Sequence, residues 1–486
     1  MGLLRKNPIL KLKKTAFAFQ QDAVNLIKDR DYFAIFHEQG LGKTKIAIDL
    51  IFNWLEHKKV DSVVIVCKKN LIQNWKNELD FHGNLPPVML SNDKEDNLYK
   101  FNTPGFIYLC NYELIRSSLD SFEAFFRNRK IGIILDESTI IKNPSAKISK
   151  ALHHLAKFCN KRIIMTGTPV ANRPYDYWSQ IYFLDFGERL GTNFDEFKEN
   201  YDLGNDLGDS YSSQLIFKNA LKELRQNLSD CFIRETKKTA GIELPGKRFI
   251  EVSVSMDEHQ EKLYRDMQIE LSAEILKDGE MIEENVEVIL KRLLRLNQVS
   301  SNPGIIDDSY ELIPPKLEET LKIVKKAQEE NSKLIIWTNF IKNVDYISNN
   351  IGSNAVGIHG EKDLSIRNEL IRKFQKDPSI NVLVATPGVA KEGLTLTEAN
   401  YAVFFDRDFS LDSFLQAQDR IHRMTQEKTC YIYKLLSANS IDYWIDALIE
   451  AKKIVARYSQ GDIDDDEFDS NIRYDFIEIL KEILIE

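Results

Sequence analysis

The sequence predicts an α/β protein of two lobes, each a parallel sheet covered on both faces by helices, with helical insertions between them. Short continuous runs of apolar, β-branched residues recur along the chain, separated by helix-patterned stretches. Strands buried on both faces look like this because neither face meets water. The rhythm stops after about residue 190 and resumes at residue 333, which divides the chain in two. Size agrees: 486 residues exceed what one core fills and suit about two to four domains.

The first set of runs is YFAIF (32–36), SVVIVC (62–67), FIYLC (106–110), IGIIL (131–135) and RIIM (162–165). Residues 194–300 are charged and helix-patterned, as in EHQEKLYRDMQIELSAEILK. The second set is KLIIWT (333–338), NAVGIH (354–359), NVLVAT (381–386), YAVFF (401–405) and CYIYKLL (430–436). ELIPPK (311–316) suits a boundary before the second lobe. The expected domains are therefore 1–240 (first lobe, with a helical insertion from about 194), 241–315 (helical protrusion and linker), 316–456 (second lobe) and 457–486. In the last of these, the acidic run GDIDDDEFD (461–469) reads as a solvated linker before an amphipathic helix, NIRYDFIEILKEILIE. An interaction tail is the alternative.

With 43% hydrophobic and 29% charged residues, the chain is globular, not disordered as a whole. A net charge of -9 argues against a positive coat for packaging nucleic acid. It leaves room for a locally basic groove, because binding follows local potential. Five cysteines stand far apart with no CxxC pair, which fits a reducing compartment without disulfides or a zinc knuckle. MGLLRKNPILKLKK lacks a signal peptide's apolar core, Lys6 breaks the myristoylation pattern, and no apolar run is long enough to span a bilayer. These features predict a cytoplasmic protein with no membrane partner.

HEQGLGKTKIAIDL (37–50) follows the run YFAIF and opens a helix. Gly40 and Gly42 let the backbone wrap phosphate oxygens, Lys43 would reach the β- and γ-phosphates, and the Thr44 hydroxyl would hold Mg²⁺. His37 stands where the strict phosphate-loop pattern has glycine. IGIILDESTIIKN (131–143) puts Asp136 and Glu137 at the carboxyl end of an apolar strand, where ligands bind in open α/β sheets. Asp136 can hold Mg²⁺ through water, and Glu137 can orient and deprotonate an attacking water. A pair of surface acids opening a helix is the plain alternative, and the phosphate loop upstream favours the catalytic one. In QAQDRIHRMTQ (416–426), Gln416, Arg420 and Arg423 have the i, i+4, i+7 spacing of one helical face. Taken alone, that is a solvated face with surface ion pairs.

Several stretches together carry a resemblance: VIVCKKNLIQNWKNEL (64–79), DESTIIKNPSAKISKAL (136–152), MTGTPVANRPYDYWSQIYFL (165–184), LRLNQVSSNP (293–302) and QAQDRIHRMTQ. In this order, from about residue 15 to 450, they are similar to the motifs of superfamily 2 helicases and translocases of the Swi/Snf-type branch. The resemblance implies two RecA-like lobes with ATP between them. It implies that Gln20, beside Phe19 in FAFQQ, reads adenine, and that Thr166, Gly167, Thr168 and Gln416 couple the nucleotide to the nucleic-acid track. Thr386 and Gly393, in ATPGVAKEGLTL, match the fifth motif, and Arg420 and Arg423 match arginine fingers that meet the γ-phosphate. Arginine suits that task because its charge is permanent and its donors fit phosphate. Fingers that arrive only on lobe closure tie hydrolysis to movement.

The sequence departs from the pattern at Ser138 and Thr139, where the branch's DEAH box has alanine and histidine, at Lys68 and Lys69 in the motif after the second strand, and at Pro387 and Glu392 in the fifth motif. Candidate nucleic-acid contacts are Lys68, Lys69, Asn143, Thr386 and Gly393, with Lys142 and Asn172 beside them, and they would touch phosphates rather than bases. For Lys68 and Lys69 an exposed loop without a partner is an equal reading. Trp75, Trp178 and Trp337 read as packing residues. RETKK (234–238) and LPGK (244–247) resemble the branch's basic stretch and brace, and the helical middle resembles its two protrusions, which imply a double-stranded DNA track. The implied activity is an ATP-driven DNA translocase of the stand-alone bacterial or viral, nucleoid-associated type. Three alternatives stay open: a strand-separating helicase, an RNA motor, and a nucleic-acid-dependent ATPase switch that gates a partner protein.

Overall fold

The structure, a computed structural model, describes residues 10–170, 173–201, 211–277, 280–281, 286–390, 396–423 and 425–472. The chain forms two compact units. One comprises residues 1–202, 216–243 and 456–463, and the other comprises the rest.

The first unit is built on a seven-stranded, wholly parallel sheet. Its strands are β1 (Tyr32–Ile35), β2 (Ser62–Cys67), β3 (Val88–Met89), β4 (Ile107–Asn111), β5 (Ile131–Asp136), β6 (Cys159–Met165) and β7 (Phe232–Ile233), in the order β3-β4-β2-β5-β6-β1-β7. Every apolar run predicted for this lobe is a strand. β2 is buried along its whole length and β5 at all but its last residue, which is why their sequences show no alternation. Helices Ala18–Ile27, Lys43–Glu56 and Ile72–His82 pack Val24, Ile48 and Leu79 into the same core as Ile65 and Ile163. Burying each such side chain contributes about 1.5–3 kcal/mol relative to exposure. Trp75 and Trp178 are buried, as their packing role predicts.

The second unit holds a six-stranded parallel sheet of β8 (Lys247–Val254), β11 (Lys333–Trp337), β12 (Ala355–Ile358), β13 (Val382–Ala385), β14 (Ala399–Phe404) and β15 (Cys430–Ser437). Their order is β12-β13-β11-β14-β15-β8. A small antiparallel ribbon, β9 (Leu276–Lys277) and β10 (Glu280–Met281), lies apart from it. All five apolar runs expected here are strands. β8 is a correction: within the expected helical segment 241–315 it supplies an edge strand, paired with β15 from Lys247↔Cys430 to Val254↔Ser437. An edge strand needs no two-sided apolar run, and the charges of Lys247, Arg248 and Glu251 guard the open edge. The rest of that segment includes the helices Glu258–Ile275 and Val286–Ser301.

The polar letters of LRLNQVSSNP turn inward. Asn297 Nδ2 donates to Arg407 O (2.8 Å), Ser301 Oγ to Asp406 Oδ2 (2.7 Å) and Asn302 Nδ2 to Asn343 Oδ1 (2.9 Å). Thr338 Oγ1 (2.6 Å) and the Asn339 amide N–H (2.7 Å) complete the shell of Asp406, which is fully buried. Neutral donors from two distant segments thus satisfy one buried carboxylate, and this network pins helix Val286–Ser301 to the sheet.

The acidic run is not the solvated linker expected. Gly461 (φ +79) ends helix Ile441–Gln460, and Ala456–Ile463 belongs to the first unit. Asp464 caps a short helix, Asp465–Asn471, whose first turn carries Asp465, Asp466 and Glu467 and whose Phe468 is buried. Acids at a helix N-terminus complement the backbone dipole, so this charge run is also a helix start. Most of NIRYDFIEILKEILIE lies outside the described residues. All five cysteines are buried and none forms a disulfide, and burial holds the thiols of Cys67, Cys110, Cys159 and Cys231 well above their ordinary pKa. No helix among the described residues is long and apolar enough to cross a membrane.

Lys316, on the helix opened by the two prolines of ELIPPK, is buried against Asp442 (Nζ to Oδ2, 2.5 Å). Asp442 also accepts the Ser437 amide (2.8 Å) and Ser300 Oγ (3.1 Å). Asp442→Ala would strand a buried ammonium. It is expected to cost the second lobe about 3–5 kcal/mol, read as an earlier denaturant midpoint.

Candidate ATPase site

β5, β6 and β1 are neighbours, and their register is level: Ile35 and Asp136 both sit opposite Met165. Three motifs therefore emerge side by side at the carboxyl edge of the sheet: the phosphate loop after β1, TGT after β6 and the acids at the end of β5.

In the loop, Gly40 (φ +86) and Gly42 (φ +69) adopt left-handed backbone that other residues rarely take. A Cβ on Gly42 would lie 2.4 Å from Gln20 Nε2. Gln20 is buried; it donates to Leu41 O (3.1 Å) and accepts from the Phe17 amide (3.0 Å). The predicted adenine reader is thus also a brace under the loop. Lys43 and Thr44 open helix Lys43–Glu56. Lys43 Nζ donates to His37 O (2.9 Å) and Glu38 O (3.3 Å). Burial lowers its pKa, and Glu137 and Asp136 oppose that shift. His37, in the position of the missing glycine, is fully buried. Burial, with Lys43 and Arg234 nearby, pushes its pKa down to about 3, so it stays neutral.

Asp136 Oδ2 accepts from Trp75 Nε1 (2.8 Å), and its main-chain oxygen accepts from the Tyr112 hydroxyl (2.7 Å). Burial, then the neighbouring Glu137, pushes the Asp136 carboxyl up to about 6, against the pull of Trp75, Lys43 and Lys68. Glu137 takes left-handed backbone (φ 55, ψ 54), the kind of strain that proteins keep at functional positions. Among the described residues, no group hydrogen-bonds its buried Oε2. Two adjacent carboxylates, short of compensating charge and with one buried oxygen unpartnered, fit a divalent cation and a water.

TGT packs onto the loop: a Cβ on Gly167 would meet Gln39 Cγ at 2.6 Å and Gln39 N at 3.2 Å. Thr166 Oγ1 accepts from the Thr168 amide (3.2 Å), and both side chains are buried. The substituted acid box makes its link to the third motif through Ser138. Its hydroxyl donates to Gln180 Oε1 (2.7 Å), and Gln180 Nε2 donates to Pro169 O (2.9 Å) and Asp176 O (2.8 Å).

The candidate track residues are mixed. Lys68 is half-buried and close enough to Asp136 to act on its charge, whereas Lys69 is exposed at the turn Lys69–Leu71. Asn143 Oδ1 accepts from the Ser145 amide (3.0 Å) and hydroxyl (2.7 Å), holding its own turn. In the second lobe, Thr386 follows β13, its amide donating to Ile358 O (3.3 Å). Gly393 and Asn172 lie outside the described residues.

The single helical face expected for Gln416, Arg420 and Arg423 is not formed. Helix Leu411–Gln418 stops at Gln418, and the two arginines follow in turns. Gln426 explains the stop: its buried amide donates to Ile421 O (2.8 Å), Ala399 O (2.9 Å) and Thr397 O (3.2 Å), pinning a non-helical path. Gln416 Nε2 donates to Asp412 Oδ1 (2.6 Å). Arg420 is buried, its carbonyl accepting from the Leu396 amide (3.0 Å), and Arg423 Nε donates to Asp419 O (3.3 Å).

The SNF2-related domain matches residues 20–305, and the helicase conserved C-terminal domain matches residues 315–425. The chain belongs to the SNF2-related family. That family is the Snf2-type branch of superfamily 2. It is 28% identical over 442 residues to an uncharacterized ATP-dependent helicase of Mycoplasma pneumoniae, covering 87% of this chain and 40% of that protein. It is 26% identical over 458 residues to the human DNA repair and recombination protein RAD54-like, covering 83% of this chain and 60% of that one. The Snf2-type chain thus spans 40% and 60% of these relatives' own lengths, under two thirds of each. The SWI2/SNF2 ATPase core of Sulfolobus solfataricus, solved in complex with dsDNA, aligns over 95% of this chain and 97% of its own at 25% identity, with a TM-score of 0.43.

Sequence reasoning marks Ser138 only as a departure, places Arg234 only within the basic stretch RETKK, and does not single out Gln180 or Tyr112. These act through contacts between segments far apart in the chain. In this Snf2-type ATPase, Ser138→Ala would leave Gln180 Oε1 buried without its donor, at a cost of about 1–3 kcal/mol. The expected outcome is a first lobe that melts a few degrees earlier, checked by thermal unfolding.

Proposed function

We propose that this Snf2-type ATPase is a DNA translocase acting on double-stranded DNA, with each cycle of ATP hydrolysis driving one cycle of lobe closure. The observation that carries the ATPase chemistry is the level edge of β5, β6 and β1, where the phosphate loop meets Asp136 and Glu137, whose buried Oε2 has no hydrogen-bond partner among the described residues. DNA as the track is supported by the helicase C-terminal domain and by the likeness to a DNA repair and recombination protein.

Lys43 leaves the loop carbonyls to neutralise the β- and γ-phosphates. Gln20 keeps the loop shaped, and its second N–H and second lone pair suit the edge of adenine. Glu137, held by its left-handed backbone, orients the attacking water and accepts its proton. Mg²⁺, held by Thr44 and Asp136, would supply charge neutralisation at the phosphates. Arg420 and Arg423 of the second lobe complete the charge stabilisation, a contribution of roughly 10³–10⁵ in rate in related NTPases. Lys68, Lys69, Asn143, Thr386 and Gly393 are the proposed phosphate contacts along the track. Such contacts are indifferent to sequence and weaken as salt rises.

Steady-state ATPase rates without nucleic acid and with single-stranded DNA, blunt duplex, forked duplex or RNA test the track, at one salt concentration. The expected result is strong stimulation by blunt duplex. Stimulation confined to single strands or forks would replace translocation by strand separation, stimulation by RNA alone would make RNA the track, and none at all would favour a switch that awaits a protein partner. Glu137→Gln is expected to bind ATP and not turn it over, seen as retained nucleotide binding with no phosphate release. Arg423→Ala is expected to bind ATP with a rate at least about a hundredfold lower.

A further inference from the structure

Arg234, the first letter of RETKK, lies behind the phosphate loop and is absorbed by none of the roles above. Its guanidinium has four oxygen partners. Nη1 donates to Phe36 O (2.5 Å), the last residue before the loop, and to Gly167 O (3.2 Å), the centre of TGT. Nε and Nη2 fork onto the Asp462 carboxylate at 3.0 and 2.7 Å. Both side chains are largely buried, at 13% and 10% exposure.

The strip around Arg234 runs along the leading edge of the loop. The Phe36 amide donates to Ile233 O (2.9 Å), the Glu38 amide to Glu235 O (2.8 Å), the Glu235 amide to His37 Nδ1 (3.1 Å) and the Lys237 amide to Glu38 Oε2 (2.8 Å). Asp462 reaches this place because Gly461 turns the chain out of helix Ile441–Gln460. The Asp462 amide then donates to Arg457 O (2.8 Å), and Tyr458, Ser459 and Ile463 bury the segment in the first unit.

We propose that Arg234 is a positioning residue for ATP hydrolysis, and that Asp462, from the far end of the chain, holds it in place. The planar fork of arginine spans two backbone carbonyls and a carboxylate at once, which lysine cannot do. Arg234 fixes TGT against the phosphate loop, so Lys43 and the coupling threonines keep a constant relation. Asp462 supplies the neutralising charge that makes a buried guanidinium beside Lys43 tolerable. The acidic segment is then part of the ATPase apparatus. Any event that pulled residues 456–463 away would slow the chemistry without touching a nucleotide contact.

This inference rests on the ATPase reading, so the wild-type chain must first turn over ATP. Failure at that step would refute the ATPase reading and not the role of Asp462. Rates and ATP affinities are then measured for full-length Asp462→Asn, Asp462→Glu and Arg234→Lys, with thermal unfolding alongside. Asp462→Asn and Arg234→Lys are expected to lower kcat on the order of tenfold. In Asp462→Asn, KM for ATP should not rise, because an uncompensated Arg234 adds positive charge near the phosphates. Asp462→Glu, which keeps the carboxylate, is expected to restore most of the rate. An Asp462→Asn protein with unchanged kcat would overturn the proposal. So would a parallel loss of stability and rate in Asp462→Asn that Asp462→Glu shares, since the segment would then be only packing.

Discussion

The constraint on which the rest of this molecule depends is the parallel register of three neighbouring strands. Because β5, β6 and β1 all run the same way and end level, three segments more than a hundred residues apart at their extremes emerge at one edge. An antiparallel neighbour would send its motif to the opposite edge. The same arrangement forces Asp136 and Glu137 together at the end of a buried strand, where charge is poorly tolerated. Trp75, Lys43 and Lys68 offset it in part. The remaining deficit leaves the acid pair short of positive charge.

Around this edge the first lobe uses buried polar contacts rather than flexible surface groups. Ser138 and Gln180 join the acids to the segment after TGT, Gln20 supports the loop and Arg234 closes it from behind. Each polar group lies within a largely apolar lobe, where an unpaired donor or acceptor is expensive and a satisfied one is geometrically exact. The second lobe does the same with Asp406 and Asp442, which gather donors from segments far apart in sequence. What look like motif letters for chemistry in LRLNQVSSNP are there for this bracing.

The legible parts of the fold were those dictated by one-dimensional chemistry. Strands buried on both faces had to be continuous apolar runs, and all ten were readable. The glycines of the loop and the acids after IGIIL followed from backbone and charge requirements local to each motif. The unread parts depend on partners distant in the chain. β8 is a charged edge strand, visible only once β15 lies beside it. Arg420 and Arg423 have helical spacing, yet Gln426 holds the segment out of a helix through three carbonyls. The acidic run reads as a solvated linker because a charge run carries no sign of which of its members will be buried; Asp462 is paired and Phe468 lies inside.

The cysteines have a consequence of a different kind. All five are buried, and burial holds four of them in the unreactive thiol form. Reagents that attack thiolates therefore find little to modify in the native protein. A single cysteine introduced at an exposed site such as Lys69 would stand out against that silent background. Fluorophores or spin labels could then be placed at chosen surface positions with no native residue replaced beforehand.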